Sequence, residues 1–284
     1  MLDIWILIGI DKNMVSIESA GITDVGKKRE QNEDSLRMDY SLNLYVVADG
    51  MGGHRAGEVA SRMAVDEICR FMSKHKTVGM EKYVGSEEIL SKEACQLFSS
   101  IEYANSKVCK AAALNESFRG MGTTVAIAYF IGETFVVANV GDSSVYMVHD
   151  GEIEMVTVPH TLADEHPELK LEGGMFENML TRALGADEAV VPDICESQFF
   201  YDDIFIICSD GLSRKVTSEE MLGVVTRNRP EEACKIFVGM ANDRGGDDNI
   251  SVVVLRVKKP RGIFGNIWNF FLNSAGRLRY YLRK

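Results

Sequence analysis

The sequence predicts an α+β fold with largely antiparallel sheets, and three observations carry that expectation. Strand-like runs come in blocks, helical segments fall in two pairs between those blocks, and no Pro-rich, Ser-rich or low-complexity linker interrupts Met14 to Val257. The regular alternation of one strand with one helix that marks a parallel sheet is missing. A single domain over 14–257 is therefore expected, with an extension over 1–13 and a separate tail over 258–284.

Strands are expected where β-branched and aromatic residues cluster: Val15 to Thr23, Leu42 to Ala48, Thr124 to Phe130, Thr134 to Asn139, Val145 to His149, Ile153 to Val158, Ile204 to Cys208 and Ile250 to Val257. Asp150-Gly151 reads as a two-residue hairpin turn between two of them. A helix is expected from Ala56 to Lys74, where Val59, Met63, Ile68, Phe71 and Met72 recur at helical spacing. Ser86, followed by Glu87 and Glu88, predicts the start of a second helix running towards Leu114. Thr217-Ser218 ahead of Glu219 and Glu220 caps a third, and Pro230 opens a fourth that stops near Gly245.

A chain of 284 residues, 46% hydrophobic and 26% charged, has enough apolar material for one large core. Six cysteines (Cys69, Cys95, Cys109, Cys195, Cys208, Cys234) contain no CxxC pair and fit the reduced thiols of a cytoplasmic protein. The formal charge is −11, and the stretch from Lys258 to Lys284 holds seven Lys or Arg and no acid; the body before it therefore carries −18, the overall charge less those seven. An acidic body excludes nucleic acid as its main partner. The opening "MLDIWILIGI" is too short to span a bilayer and lacks the features of a signal peptide; an extra edge strand is expected there, with Met14 as a second candidate start. In the tail, Ile263, Phe264, Ile267, Trp268, Phe270, Phe271 and Leu272 precede a basic cluster. Such a stretch can make peripheral contact with the inner membrane surface, fold back on the acidic body or dock a kinase, and the three readings stay open.

Carboxylates recur at the ends of the apolar runs. "YVVADGMGG" places Asp49 there, "VANVGDSS" Asp142 and "FIICSDGLS" Asp210, while Asp247 and Asp248 precede "NISVVVL" and "REQNEDSL" supplies Glu33 and Asp34. One strand-end Asp is ordinarily a turn former or helix cap. Five such sites, each beside a buried run, converge at one edge of a sheet only if a cation neutralises them. Oxygen-only ligands select magnesium, manganese or calcium, and glycines after Asp49 and Asp210 let the backbone approach the ion. Two such ions can hold a bridging hydroxide and stabilise in-line displacement at phosphorus, with Arg29 reaching the phosphoryl oxygens from the same loop as Glu33.

Seven blocks in this order, "GKKREQNED", "VVADGMGGHRAGEVAS", "GMGTTVA", "VANVGDSSVY", "NMLTRALG", "CSDGLS" and "GGDDNISVVV", resemble the metal-dependent protein serine/threonine phosphatases, the protein phosphatase type 2C or PPM family, in its bacterial-type branch. The resemblance implies a four-layer αββα sandwich of two antiparallel sheets flanked by helix pairs, with the metal site at one end. It implies catalytic roles for Asp49, bridging two Mn²⁺ or Mg²⁺ ions, and for Arg29, binding the substrate phosphate. Gly50 would give its carbonyl to the metals, Glu33 and Asp34 would serve the second ion, Asp210 and Asp248 the first, and Asp142 a weaker third. It further implies hydrolysis of phosphoserine and phosphothreonine on phosphoproteins, reversing a cognate Ser/Thr kinase, with a pseudophosphatase binding module as the alternative. Met51 stands where animal relatives carry a proposed general acid, which leaves His54 as a candidate proton donor or as a surface histidine opening a helix. Ser144 replaces the arginine of Gly-Asp-Ser-Arg, the flap over His160 to Asn178 is shorter than usual, and His160 is read as structural.

Overall fold

The computed structural model describes residues 16–52, 56–74, 83–84, 88–166, 179–258 and 279–281, of which 83–84, 88–89 and 279–281 are described as backbone alone. Along the chain come β1 (Ser16–Asp24), β2 (Asp34–Asp39), β3 (Leu44–Met51), α1 (Ala56–Lys74), β4 (Tyr83–Val84), β5 (Glu88–Ile89) and α2 (Lys92–Leu114). Five strands and a short helix follow: β6 (Gly122–Thr123), β7 (Val125–Ile131), β8 (Thr134–Val140), β9 (Ser144–His149), β10 (Glu152–Met155) and α3 (Leu162–Glu165). The last stretch holds β11 (Asp193–Gln198), β12 (Ile204–Cys208), α4 (Asp210–Ser213), α5 (Ser218–Arg227), α6 (Pro230–Asp243), β13 (Ile250–Lys258) and β14 (Arg279–Tyr281).

The strands form a five-stranded sheet in the order β1-β13-β12-β9-β10 and a seven-stranded sheet containing β14-β11-β8-β7-β3-β2, with β6 on the end of β3. All these pairings are antiparallel. Because side chains alternate across a strand, each continuous apolar run serves two cores at once. In β3, Leu44, Val46 and Ala48 pack with α1 and α2, while Tyr45 and Val47 point into the layer between the sheets. In β12, Phe205 and Ile207 enter that same layer, and Ile204, Ile206 and Cys208 pack in one cluster with Leu212 of α4, Met221 and Val225 of α5 and Phe237 of α6. The outcome is the expected four-layer αββα sandwich.

Aromatic rings fill the middle layer. Phe130 and Phe135 each lie 4.9 Å, centroid to centroid, from Phe205, and Tyr45 meets Phe130 edge-on at 6.0 Å. This packing clamps the two sheets together and sets the spacing of the strand ends beyond it.

Most expected elements appear, with four corrections. Six strands were not expected, β2, β11 and the short β4, β5, β6 and β14, and β3 continues beyond Ala48 to Met51. The strand expected over Ile153 to Val158 ends at Met155, where Val156 turns to donate its N–H to the Val145 carbonyl. The second helix begins at Lys92 instead of near Ser86, because the Ser91 hydroxyl accepts the Ala94 N–H and caps it there. Glu88–Ile89 pairs with Tyr83–Val84 instead of joining that helix, while Ser86 and Glu87 lie outside the described residues. Thr217 and Glu220 form the expected capping box, and Asp150 and Gly151 take the expected positive φ angles of a hairpin turn. The N-terminal extension, His54, and the tail apart from Lys258 and Arg279–Tyr281 lie outside the described residues. β14 pairs with β11, so those three tail residues fold back on the body. Among the described residues no helix is long and apolar enough to cross a membrane.

Phe130→Ala is expected to destabilise the fold by about 3–5 kcal/mol through the cavity it leaves between the sheets. A urea titration checks this: the midpoint falls while the slope with denaturant stays unchanged.

Candidate metal centre

Asp34 and Asp49 are direct partners in the β2–β3 register, so their side chains share one face of the sheet. That face is the inner one, since Asp49 follows Tyr45 and Val47 at period two. The Asp49 backbone is held on both sides: its N–H donates to Thr124 Oγ1 (3.0 Å), and its carbonyl accepts the Thr124 N–H and the Thr123 hydroxyl (2.9 Å each). Across the gap, Ser209 directly follows β12. Its hydroxyl donates to Asp34 Oδ2 (2.8 Å) and accepts the Ser251 N–H (3.0 Å). Thr124 and Ser143 share a hydroxyl hydrogen bond of 2.7 Å, as do Ser251 and Thr23 at 2.8 Å. A tier of hydroxyls thus separates the aromatic middle layer from the carboxylates above it.

Asn249 holds the neighbouring loop. Its side-chain amide donates to the carbonyls of Val25 (3.0 Å) and Gln31 (2.9 Å), and its Oδ1 accepts the Glu33 N–H (2.8 Å). The loop that carries Arg29 and Glu33 is thereby tied to the residue after Asp248. The Glu33 carbonyl accepts the Gly50 N–H (3.2 Å) and the Ser61 hydroxyl (2.6 Å), which joins the loop to β3 and α1. Gly50 is obligatory here: a Cβ would stand 2.1 Å from the Gly57 carbonyl oxygen and 2.6 Å from that of Glu33. At Gly211 a Cβ would stand 2.0 Å from the Asn249 oxygen. Both glycines therefore admit other main chain at close range.

Electrostatics show the strain of this assembly. Burial, with Asp210 and Asp248 nearby, pushes the Asp34 carboxyl up to about 7, and Asp142 rises to about 6 through burial and the Asp210 charge. Asp49 is pushed well above the usual carboxylate range by desolvation and then by Asp34, Asp210 and Asp142. Asp210 is raised by burial against the pull of Arg214, with the Asp248 charge adding to the rise. Glu33 is raised by its own burial. Two buried oxygens, Asp34 Oδ1 and Asp210 Oδ1, meet no donor. Orphaned, desolvated carboxylate oxygens of this kind fit hard divalent cations, whose binding displaces the protons the acids otherwise retain.

Among the described residues no three ligand-type side chains stand as a closed cage, and guanidinium groups pair with part of the set. Arg29 Nη2 donates to Asp248 Oδ2 at 2.9 Å, and Arg214 Nη2 lies 2.9 Å from Asp142 Oδ2 and 2.7 Å from Asp210 Oδ2.

The structure therefore brings Arg29, Glu33, Asp34, Asp49, Gly50, Asp142, Asp210 and Asp248 to one end of the layer between the sheets. Convergence is at one end between the two sheets, as the resemblance implies, and not at the edge of a single sheet. Asp247 does not take part: it points outward and pairs with Lys215. His160 is structural, fully buried, with Nδ1 accepting the Gly141 N–H (3.1 Å) and Nε2 lying 3.2 Å from Asp193 Oδ2. Ser144 is buried and donates its hydroxyl to the Asp142 carbonyl (3.2 Å). Residues 167–178 of the expected flap lie outside the described residues. Sequence reasoning missed Ser209, Asn249 and Arg214. Ser209 and Asn249 each adjoin a predicted ligand, which is the signal that marked them.

Two face-packed antiparallel sheets between helix pairs, with acidic groups crowded at one end of the middle layer, define a metal-dependent phosphatase. The chain belongs to the protein phosphatase 2C family, whose model matches residues 26–238. It is similar to the serine/threonine phosphatase stp of Listeria monocytogenes, 34% identical over 245 residues that cover 82% of this chain and 93% of the relative. Similarity to protein phosphatase PhpP of Streptococcus pneumoniae is 29% over 257 residues, 86% of this chain and 98% of that one. Among solved structures, the serine/threonine phosphatase PstP/Ppp of Mycobacterium tuberculosis superposes with a TM-score of 0.74 at 27% identity, covering 86% of this chain and all of that one. A PstP catalytic domain in complex with 2 manganese ions matches with the same TM-score, identity and coverage.

A pH dependence follows. In the metal-free fold Asp34 keeps its proton up to about pH 7, whereas an unfolded Asp releases it near about 4. Across that window the folded state binds more protons than the unfolded chain, so stability falls as pH rises. EDTA-treated protein is therefore expected to lose melting temperature between about pH 5 and about pH 7, with Asp34→Asn flattening the decline and Mn²⁺ reversing it. Differential scanning calorimetry across that range checks all three.

Proposed function

We propose that this protein serine/threonine phosphatase removes phosphate from phosphoserine and phosphothreonine of proteins at the acidic centre, using Mn²⁺ or Mg²⁺ held by Asp49 and its neighbours. The observation that carries this reading is the pair of orphaned buried oxygens, Asp34 Oδ1 and Asp210 Oδ1, beside a carboxyl pushed well out of its ordinary range at Asp49. Asp49 stands near both groups: it is paired with Asp34 in the β2–β3 register, and the charges of Asp34 and Asp210 both raise it. It is the natural residue to serve two ions at once. Asp210 and Asp248 would complete one side, Glu33, Asp34 and the Gly50 carbonyl the other.

Bound ions of this kind supply Lewis acidity that activates water and neutralises charge at phosphorus. The chain supplies the rest. Arg29 is half-exposed and already paired with a carboxylate at the rim, so it can exchange Asp248 Oδ2 for two oxygens of an incoming phosphate. Asp248 and Glu33 raise its pKa further, which keeps it charged throughout. The Asn249 clasp holds that arginine's loop on the same footing as Asp248, so phosphate and ions meet in a fixed relation. Met51 carries no proton, so the leaving Ser or Thr oxygen takes one from elsewhere, and His54 is the residue to test.

All the acidic positions are intact, which disfavours the pseudophosphatase alternative. Substrates are proposed to be the products of Ser/Thr kinases. Six free thiols, five of them buried, fit action in the cytoplasm.

Purified protein is expected to hydrolyse a phosphothreonine peptide with Mn²⁺ and to stop when EDTA is added. Asp49→Asn and Asp210→Asn should each lower kcat by about a thousandfold, roughly 4 kcal/mol of transition-state stabilisation. Arg29→Ala should raise KM by about tenfold or more through the lost charge-assisted bonds. Wild-type protein without metal-dependent turnover would overturn the assignment.

A further inference from the structure

Arg214 stands apart from every role assigned so far. It closes the short turn α4, its own N–H donating to the Asp210 carbonyl at 2.9 Å. From there the side chain folds back over one turn to the carboxylate of Asp210, four residues earlier, and continues to Asp142 on the loop before β9. One nitrogen, Nη2, meets both carboxylates, at 2.7 Å from Asp210 Oδ2 and 2.9 Å from Asp142 Oδ2. A single positive centre shared by two carboxylate oxygens from different loops is the arrangement a bridging cation would take. Val216, buried two residues on, anchors the segment, so the guanidinium is tethered to a fixed base.

Resting on the metal-centre reading above, we propose that Arg214 is a built-in cation at the Asp142 end of the centre, limiting the divalent ions this chain binds to the pair around Asp49. A guanidinium stays protonated at any physiological pH and cannot diffuse away, so the place is held irrespective of ion concentration. It satisfies one oxygen of each aspartate and leaves Asp210 Oδ1, like Asp34 Oδ1, without a donor. A further ion between Asp142 and Asp210 would have to displace Arg214 from both carboxylates and then lie beside its charge. Positioning follows as well: with Asp142 bound to Arg214, Asp210 is steadied from behind while its other oxygen serves the metals.

Metal stoichiometry tests this without reference to turnover. The full-length chain, freed of metal, is titrated with Mn²⁺ while electron paramagnetic resonance follows the unbound ion. Wild type is expected to bind about two ions per chain up to millimolar Mn²⁺. Arg214→Gln and Arg214→Met, both neutral and both at an exposed rim position, should each rise to about three. Adding Asp142→Asn to Arg214→Gln should return the value to about two. A wild-type chain that takes up about three ions, or neutral variants that fold by circular dichroism yet stay at about two, overturns the inference. A wild type that binds no Mn²⁺ instead overturns the metal-centre reading itself, so the two failures are distinguishable.

Discussion

Like charges that have lost their water cannot share a small volume without a counterweight, and much of the architecture at the working end of this sandwich answers that constraint. Asp34, Asp49, Asp142 and Asp210 sit where the aromatic middle layer gives way to solvent, and each carboxyl rises above its ordinary range. Burial is the first cause in every case, mutual repulsion a lesser one. A centre built this way is high in energy alone and low in energy with cations, which is the property a metal site needs. The hydroxyl tier of Ser209, Ser251, Thr23, Thr124 and Ser143 makes the transition gradual. It gives the lowest carboxylate a donor without adding charge, and it closes the greasy layer without an unsatisfied amide.

Backbone proximity matters as much as charge. Gly50 and Gly57 let β3 and the first turn of α1 touch main chain to main chain, and Gly211 does the same for α4 and Asn249. The acidic groups are consequently mounted on segments that cannot shift independently. Asn249 extends this to the loop of Arg29 and Glu33, so anion-binding and cation-binding residues move as one body.

What the chain's letters disclosed, and what they hid, has a physical pattern. The core strands β3, β12 and β13 were legible because strands buried on both faces read as unbroken apolar runs. β2 was hidden because "DSLRMD" has only one buried face and a length of six residues, and β11, "DICESQ", carries charge on its outer side. The start of α2 was misplaced because Ser86 and Ser91 offer equal capping chemistry, and only tertiary packing decides between them. Site residues were legible as types: Asp at the end of an apolar run. Which of two adjacent aspartates turns inward was not, and Asp247 and Asp248 differ only by the parity of the strand that follows. Arg214 was invisible for a related reason, since nothing local distinguishes a guanidinium over an acidic pair from one in water.

After β10 the two described flanks of the connection to β11 meet in a narrow waist. The Leu162 N–H meets the Met179 carbonyl at 2.8 Å, and the Thr181 N–H meets the His160 carbonyl at 3.0 Å. His160 and Arg182 both fasten this waist to Asp193 on β11. With its two legs cinched so firmly, the waist tolerates connections of different length: doubling the length of a loop costs only about 0.6 kcal/mol in closure entropy. Length can consequently change between those two fastenings at almost no thermodynamic expense, while the bonds that close the waist hold β10 and β11 in their places.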